Sequence, residues 1–233
     1  MDIFSDQFAG YLRQMAYGAV ITIELFMSGF VLALIFGTAA GITGSLSQSM
    51  IVQGIYRVYL SIITGVPSLL VIFLIYYGGS AMLTSLFGRS RSFDVTPFSA
   101  GVASLTIVYS AYIAELVRGA IRNLPRGQFE AAAALAIRPF AAWRHIIIPQ
   151  LIRLALPGLV NIWMIVLKDT PLVSLAGLNE LVGNAKIAAG ATKEPFLFFI
   201  AASLFFVVFS AITLQLSALL ERRFARGIAE AKA

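Results

Sequence analysis

Cysteine is absent from the 233 residues, and histidine occurs once, at His145. The first absence excludes a disulfide framework, a thiolate metal site and a cysteine nucleophile; the second excludes a zinc site built from a histidine cluster. Charge is scarce as well. Charged residues make up 12% of the chain and hydrophobic ones 59%, whereas soluble globular domains carry roughly 25% and 45–50%. So little polar surface does not clothe an ordinary soluble domain. No G-x-x-x-x-G-K-[ST] segment occurs, so the chain has no Walker A loop to cradle nucleotide phosphates. A membrane-embedded enzyme would need a catalytic constellation, and His145 lies beside Arg144 with no Asp or Ser placed around it. His145 therefore reads as an exposed loop residue. The net charge of +6 would point to nucleic acid in a soluble protein, but here its distribution matters more than its sign, and no nucleic-acid partner is expected.

What the chain has in abundance is long apolar stretches, at about 17–42, 58–87, 98–117, 151–167 and 196–220. Most reach the roughly 20 residues that cross a ~30 Å hydrocarbon core, and helices are the open-ended way to cross it with the backbone satisfied. The expectation is an all-α, polytopic membrane bundle of about five helices in the lipid bilayer, forming one domain over 1–233. The fourth run is interrupted near its start by Arg153 and Pro157, and the second is expected either to bend at Pro67 or to extend into a loop. Gly37 and Gly41 form a G-x-x-x-G pair that lets helix backbones approach. Placing the N-terminus outside puts Arg57, the cluster Arg118, Arg122, Arg126, Arg138, Arg144 and Arg153, and the tail Arg222, Arg223, Arg226 and Lys232 on the cytoplasmic side. That arrangement collects 11 of the 17 basic residues there, as the positive-inside rule requires. The start, Met1 to Asp6, is acidic and lacks a basic n-region, so no cleavable signal peptide is expected; the first span serves as its own targeting signal.

The loop at 125–149 carries the most information. Pro125-Arg126-Gly127 breaks the preceding helix, and Gln128-Phe129-Glu130 followed by alanines restarts one from strong helix formers. Arg138-Pro139 ends that short helix, and a second, at about 140–148, is expected before a break at Pro149. Phe129, Ala132, Ala133 and Ala136 fall at i, i+3, i+4 and i+7, a small-residue face suited to another protein's groove. Glu130 is expected in the first turn, where the helix dipole favours a carboxylate.

Glu130-Ala131-Ala132, then Ala136, then Ile146, Ile148 and Pro149 resemble the EAA loop of bacterial ABC importer permeases, whose pattern is E-A-A, three residues, Gly, nine residues, I-x-L-P. Ala136 stands at the Gly position and Ile148 at the Leu position. Ser110 to Gly119, Lys168-Asp169-Thr170-Pro171-Leu172, Gly177-Leu178-Asn179-Glu180-Leu181 and Glu221-Arg222-Arg223 are similar to the polar amino-acid uptake permeases. Gly65-Val66-Pro67, Ser68-Leu69-Leu70 and Tyr76-Tyr77-Gly78 are similar to the branch serving histidine, cationic amino acids and opines, which usually has Arg where this chain has Thr64.

The resemblance implies a type I importer permease in the bacterial inner membrane, working by alternating access. Its loop would form cytoplasmic coupling helices docked on the motor through Gln128, Glu130, Ala131, Ala132, Ala136 and Arg138. The implied partners are two cytoplasmic ATPase subunits, a sister permease, a substrate-binding protein and an amino-acid substrate. The chain itself would hold no cofactor, ATP and Mg being bound by the ATPase.

Ionisable groups inside membrane spans are costly and are candidates for function. Glu24 lies well inside the first run. Lys168 and Asp169 come ~25 Å along a helix from Leu151, towards the outer leaflet, and Thr170-Pro171 breaks the helix beside them; these four are the candidate lining of a substrate pathway. Glu115 and Arg118, at i, i+3, read as an intrahelical ion pair. A secondary transporter or channel would share the composition without needing the EAA spacing, so it stays open at this point.

Overall fold

The computed structural model describes residues 6–87 and 95–225, so the acidic start at 1–5, Arg226 and Lys232 lie outside the described residues. The helices are α1 (Asp6–Leu46), α2 (Met50–Gly65), α3 (Ser68–Phe87), α4 (Pro97–Arg122), α5 (Arg126–Ala134), α6 (Pro139–Ala142), α7 (Ile148–Asp169), α8 (Leu181–Thr192) and α9 (Pro195–Ala225). No strand occurs among the described residues. Among the described residues, five helical stretches are long and apolar enough to cross a membrane: Phe8–Leu46, Ser68–Leu86, Pro97–Arg122, the continuous run Pro139–Ala176, and Pro195–Leu219. The all-α polytopic bundle expected from the apolar runs is the architecture observed.

Two spans differ from expectation. The second run is split: Val66 is extended (φ −102°, ψ 127°), because the Pro67 ring disfavours helical backbone in the residue before it. Separate helices α2 and α3 result. The fourth run is not interrupted at all. Pro149, Arg153 and Pro157 lie within α7, which continues from α6 through a π turn at Trp143–Ile147. In that turn the Ile148 N–H reaches the Trp143 carbonyl, a five-residue closure that supplies the room a proline ring otherwise takes from the carbonyl four residues back. His145 accordingly sits in a helix, exposed, with Nδ1 3.1 Å from the Ala141 carbonyl, rather than in a loop.

The bundle centres on α1 against α4. A Cβ added at Gly37 would lie 2.7 Å from the Ser110 carbonyl oxygen, and one at Gly41 2.6 Å from that of Ala114, so the G-x-x-x-G pair brings these two helices together within the chain. In lipid there is little hydrophobic drive between helices, and such close packing supplies the attraction instead. Leu25, Phe26, Phe30, Leu105, Ile113, Val166 and Val173 fill the seam. Trp163 of α7 sets its ring edge-on to Phe26 (4.5 Å) and Phe30 (4.8 Å).

A second cluster, Met15, Leu181, Ala185, Ala188 and Phe198, seats α8 between the beginnings of α1 and α9. Glu180 locks this joint and is fully buried. Its Oε1 accepts from the Gly183 N–H at 2.8 Å, capping α8, and its Oε2 accepts from the Thr22 hydroxyl of α1 at 2.9 Å. Burial pushes the Glu180 carboxyl above the usual carboxylate range, while the hydrogen bonds it receives oppose that shift.

Candidate coupling surface and translocation cleft

At the Arg-rich end of the bundle, α5 starts at Arg126, two residues before the expected Gln128. Glu130 therefore occupies the second turn, where the dipole's pull on a carboxylate has largely faded. It is exposed and has no hydrogen bond or ion pair within the described residues. Ala136 is left-handed (φ +53°). Its N–H bonds to the Ala133 carbonyl and the Ile137 N–H to that of Ala132, both at 3.0 Å, which is the Schellman closure of a helix. The motif has glycine here because this backbone conformation suits a residue without Cβ; in this chain an alanine adopts it.

The expected outward face is only half outward. Ala132 is buried, Phe129 lies 6.2 Å from the Trp143 ring, and the Gln128 side-chain oxygen accepts from Gln150 at 3.3 Å. These three contacts fasten α5 to the helix that follows. Glu130, Ala131 and Arg138 stay exposed. Beside them project Leu135, 73% exposed, and Phe140, 76% exposed. Sequence reasoning passed over both, although large apolar residues on either side of the Arg138-Pro139 break were the available signal.

The Glu115–Arg118 pair is present at 4.0 Å. The Arg118 guanidinium also sits 4.8 Å from the centre of the Tyr56 ring, and the Tyr56 hydroxyl donates to Glu115 at 3.4 Å. With Tyr59 bonded to Ser110 at 2.6 Å, these contacts hold α2 against α4.

Within the bundle, the break between α2 and α3 opens a cleft of about 370 Å³. Thr64 to Ser68 form one wall, Tyr109 and Tyr112 of α4 another, and Ile162, Ile165 and Asp169 of α7 the third. Asp169 Oδ2 accepts from the Tyr109 hydroxyl at 2.6 Å and from the Ser68 hydroxyl at 2.9 Å. Asp169 is the only carboxylate among the described lining residues, and no Lys or Arg joins it.

Of the four pathway candidates, Asp169 alone reaches the cleft. Thr170 is fully buried, its hydroxyl donating to the Leu167 carbonyl at 2.8 Å. The break after it is a compact 3-10 turn, Thr170–Ala176, rather than open backbone lining a cavity. Lys168 is exposed on another face of α7, and Glu24 is exposed on the outer side of α1. Asp169 is also deeper than the rise from Leu151 implies: it meets Tyr109, midway along α4, while Gly158 adjoins Leu116. Eleven residues of α7 thus match seven of α4, so α7 runs obliquely. The sequence candidates did not include Ser68, Tyr109 and Tyr112, because hydroxyls within apolar runs look unremarkable.

Residues 29–226 match the family of binding-protein-dependent transport system inner membrane components. The chain is 37% identical over 227 residues to a histidine/lysine/arginine/ornithine transport system permease protein of Salmonella typhimurium, covering 96% of this chain and 97% of that one. It is 35% identical to an octopine transport system permease protein of Rhizobium meliloti, covering 94% and 98%. Among solved structures, an amino acid ABC transporter with histidines superposes with a TM-score of 0.80 at 29% identity, over 96% of this chain and 100% of that one. A methionine ABC transporter in an inward-facing conformation shares the fold, with a TM-score of 0.73 at 14% identity.

Proposed function

Because the chain belongs to the binding-protein-dependent transport system inner membrane component family, and so is a multi-pass permease subunit of an ABC importer, we propose that its cargo is a polar amino acid or opine carrying positive charge, held at Asp169. An ATP-independent transporter or channel, the other class open from composition, is set aside by that membership. The observation carrying the proposal is the carboxylate itself: an intramembrane Asp needs a compensating cation, and the described lining offers hydroxyls but no Lys or Arg. An ammonium or guanidinium on the cargo supplies it. Thr64, standing where this branch usually has Arg, leaves the cleft without a basic side chain on that wall. The similarity to permeases for basic amino acids and octopine favours the same class.

The Arg-rich end is the cytoplasmic one by the positive-inside rule, which places the N-terminus outside and the C-terminus within. Residues 1–233 act as one membrane domain, paired with a sister permease and served by a substrate-binding protein. Two ATPase subunits bind ATP and Mg, one of them docking on the 125–149 loop of this chain, where Glu130, Ala131 and Arg138 make polar and small contacts and Leu135 and Phe140 supply apolar anchors. ATP-driven closure of the motor draws the loops together and opens the cleft outward; hydrolysis resets it.

The test is uptake of labelled arginine, histidine and glutamine by the complete reconstituted complex. Asp169→Asn is expected to lower uptake of the cationic substrates by about tenfold or more, the scale of a buried charge pair losing one partner, with a smaller effect on glutamine and with assembly intact. Equal loss for all three removes Asp169 from the cargo site. Uptake confined to acidic amino acids overturns the substrate class.

A further inference from the structure

A second concavity, of about 320 Å³, opens on the outer surface of the bundle between α1, α7 and α9. Phe30, Leu34, Leu156, Leu159, Trp163 and Leu216 make its walls, which are almost wholly apolar. Exposed apolar residues adjoin it in helical register on α1 and α9: Val31 beside Leu34, and Ile212 and Leu219 beside Leu216. Thr213 and Ser217 also line the concavity, but their hydroxyls already donate to the Phe209 and Leu214 carbonyls, so a cargo as polar as the one assigned to the Asp169 cleft finds little to bond with here. An acyl chain needs no such partner.

Arg153 precedes the first α7 residue that lines this groove, Leu156, by three positions. Counting 153, 156 and 160 gives i, i+3 and i+7, so Arg153 shares a face of α7 with Leu156 and Val160, one turn nearer the Arg-rich end. The Arg153 Nε is buried with no hydrogen-bond partner, and Arg153 has no ion pair within the described residues. A buried donor without an acceptor is destabilising, more so on a charged group. The depth also fits. Ten residues separate Arg153 from Trp163, ~15 Å of helix rise, which is half of a ~30 Å hydrocarbon core.

We propose that this groove holds one acyl chain of an anionic phospholipid, whose phosphate is bound by the Arg153 guanidinium. Basic pockets between spans at one leaflet are suited to acidic headgroups, and the apolar slot below gives the chain a defined seat that bulk lipid lacks. The proposal does not depend on the cargo assignment or on which side of the membrane the Arg-rich end faces.

Native mass spectrometry of the complete transporter, with added phosphatidylglycerol or phosphatidylcholine of identical chains, tests it. Wild type is expected to retain phosphatidylglycerol in preference, one molecule per copy of this chain. Arg153→Gln should reduce that preference by about fivefold, the worth of one basic residue against an acidic headgroup, and Arg153→Lys should restore it. Leu156→Trp, which fills the groove, should lower retention of both lipids, and it decides the matter if Arg153→Gln fails to assemble. Unchanged preference in Arg153→Gln, or undiminished retention in Leu156→Trp, overturns the proposal. So does efficient cross-linking of a Ser217→Cys variant to the sister permease, which would show protein covering the groove.

Discussion

At Ala136, φ is +53°, a conformation that costs an L-residue roughly 1–2 kcal/mol. Ala136→Gly should remove most of that strain, offset partly by greater freedom of the unfolded chain. The expected result is a net gain of up to about 1 kcal/mol with transport retained. Ala136→Val should do the reverse and impair coupling, since a branched Cβ crowds this region further. Thermal unfolding of the assembled complex measures both, and a lower melting temperature for Ala136→Gly would contradict the strain argument. Glu180 presents the opposite case, an ionisable group tolerated in a buried joint because hydrogen bonds surround it. Glu180→Ala should cost about 2–3 kcal/mol through loss of the cap and of the tie to Thr22, whereas Glu180→Gln keeps an oxygen for the Gly183 N–H. Since burial raises the folded-state pKa, this group's contribution is fully present below the unfolded value and is lost as pH rises through the folded one. Wild type should therefore lose ground to Glu180→Gln as pH rises from the ordinary glutamate range; a stability difference that widens in favour of wild type would reverse the assignment.

Among the elements, the 125–149 hairpin shows what spacing discloses and what it leaves open. The run from Gln128 through the alanines placed a short helix, but its end was expected at Arg138-Pro139, whereas α5 stops at Ala134 and closes at Ala136, because an alanine gives no local sign that it will adopt a left-handed turn. Which side of α5 faces outward was not legible. A stripe at i, i+3, i+4 and i+7 is equally compatible with packing on the chain's own Trp143 and with docking elsewhere, and only the fold turned Ala132 inward. Pro149 misled for a related reason: proline reads as a stop unless a π turn precedes it, and no residue of Trp143–Ile147 announces one. If the exposed side is the motor contact, Glu130→Ala and Phe140→Ala should both leave membrane insertion intact and lower transport together with substrate-stimulated ATP hydrolysis. The Phe140 variant should lose more, as large buried anchors dominate interface energy. Recovery of the ATPase with the purified permease is the check, and wild-type recovery and wild-type coupled hydrolysis in both variants would remove this surface from the interface.

For the whole molecule, the spans were visible because apolar length is dictated by bilayer thickness, whereas the cleft was not, because it is assembled from α2, α3, α4 and α7. Ser68 and Tyr109 stand 101 and 60 residues from Asp169, and nothing local distinguishes them from other hydroxyls beside apolar runs. Glu24 and Asp169 looked alike as carboxylates within spans. The rotational setting of α1, which turns Leu25 and Phe26 inward and leaves Glu24 outside, separated them. Given the assembled cleft, Ser68 and Tyr109 should act through Asp169 by fixing its orientation from two sides. Tyr109→Phe and Ser68→Ala each remove one of the two hydrogen bonds that orient Asp169 while leaving its charge in place, so each should weaken uptake of arginine severalfold. Both should preserve the preference for arginine over glutamine, since the carboxylate remains, while Asp169→Asn abolishes it. That split is the distinguishing measurement: if Tyr109→Phe erases the charge preference as completely as Asp169→Asn does, the tyrosine meets the cargo directly and the carboxylate is its support.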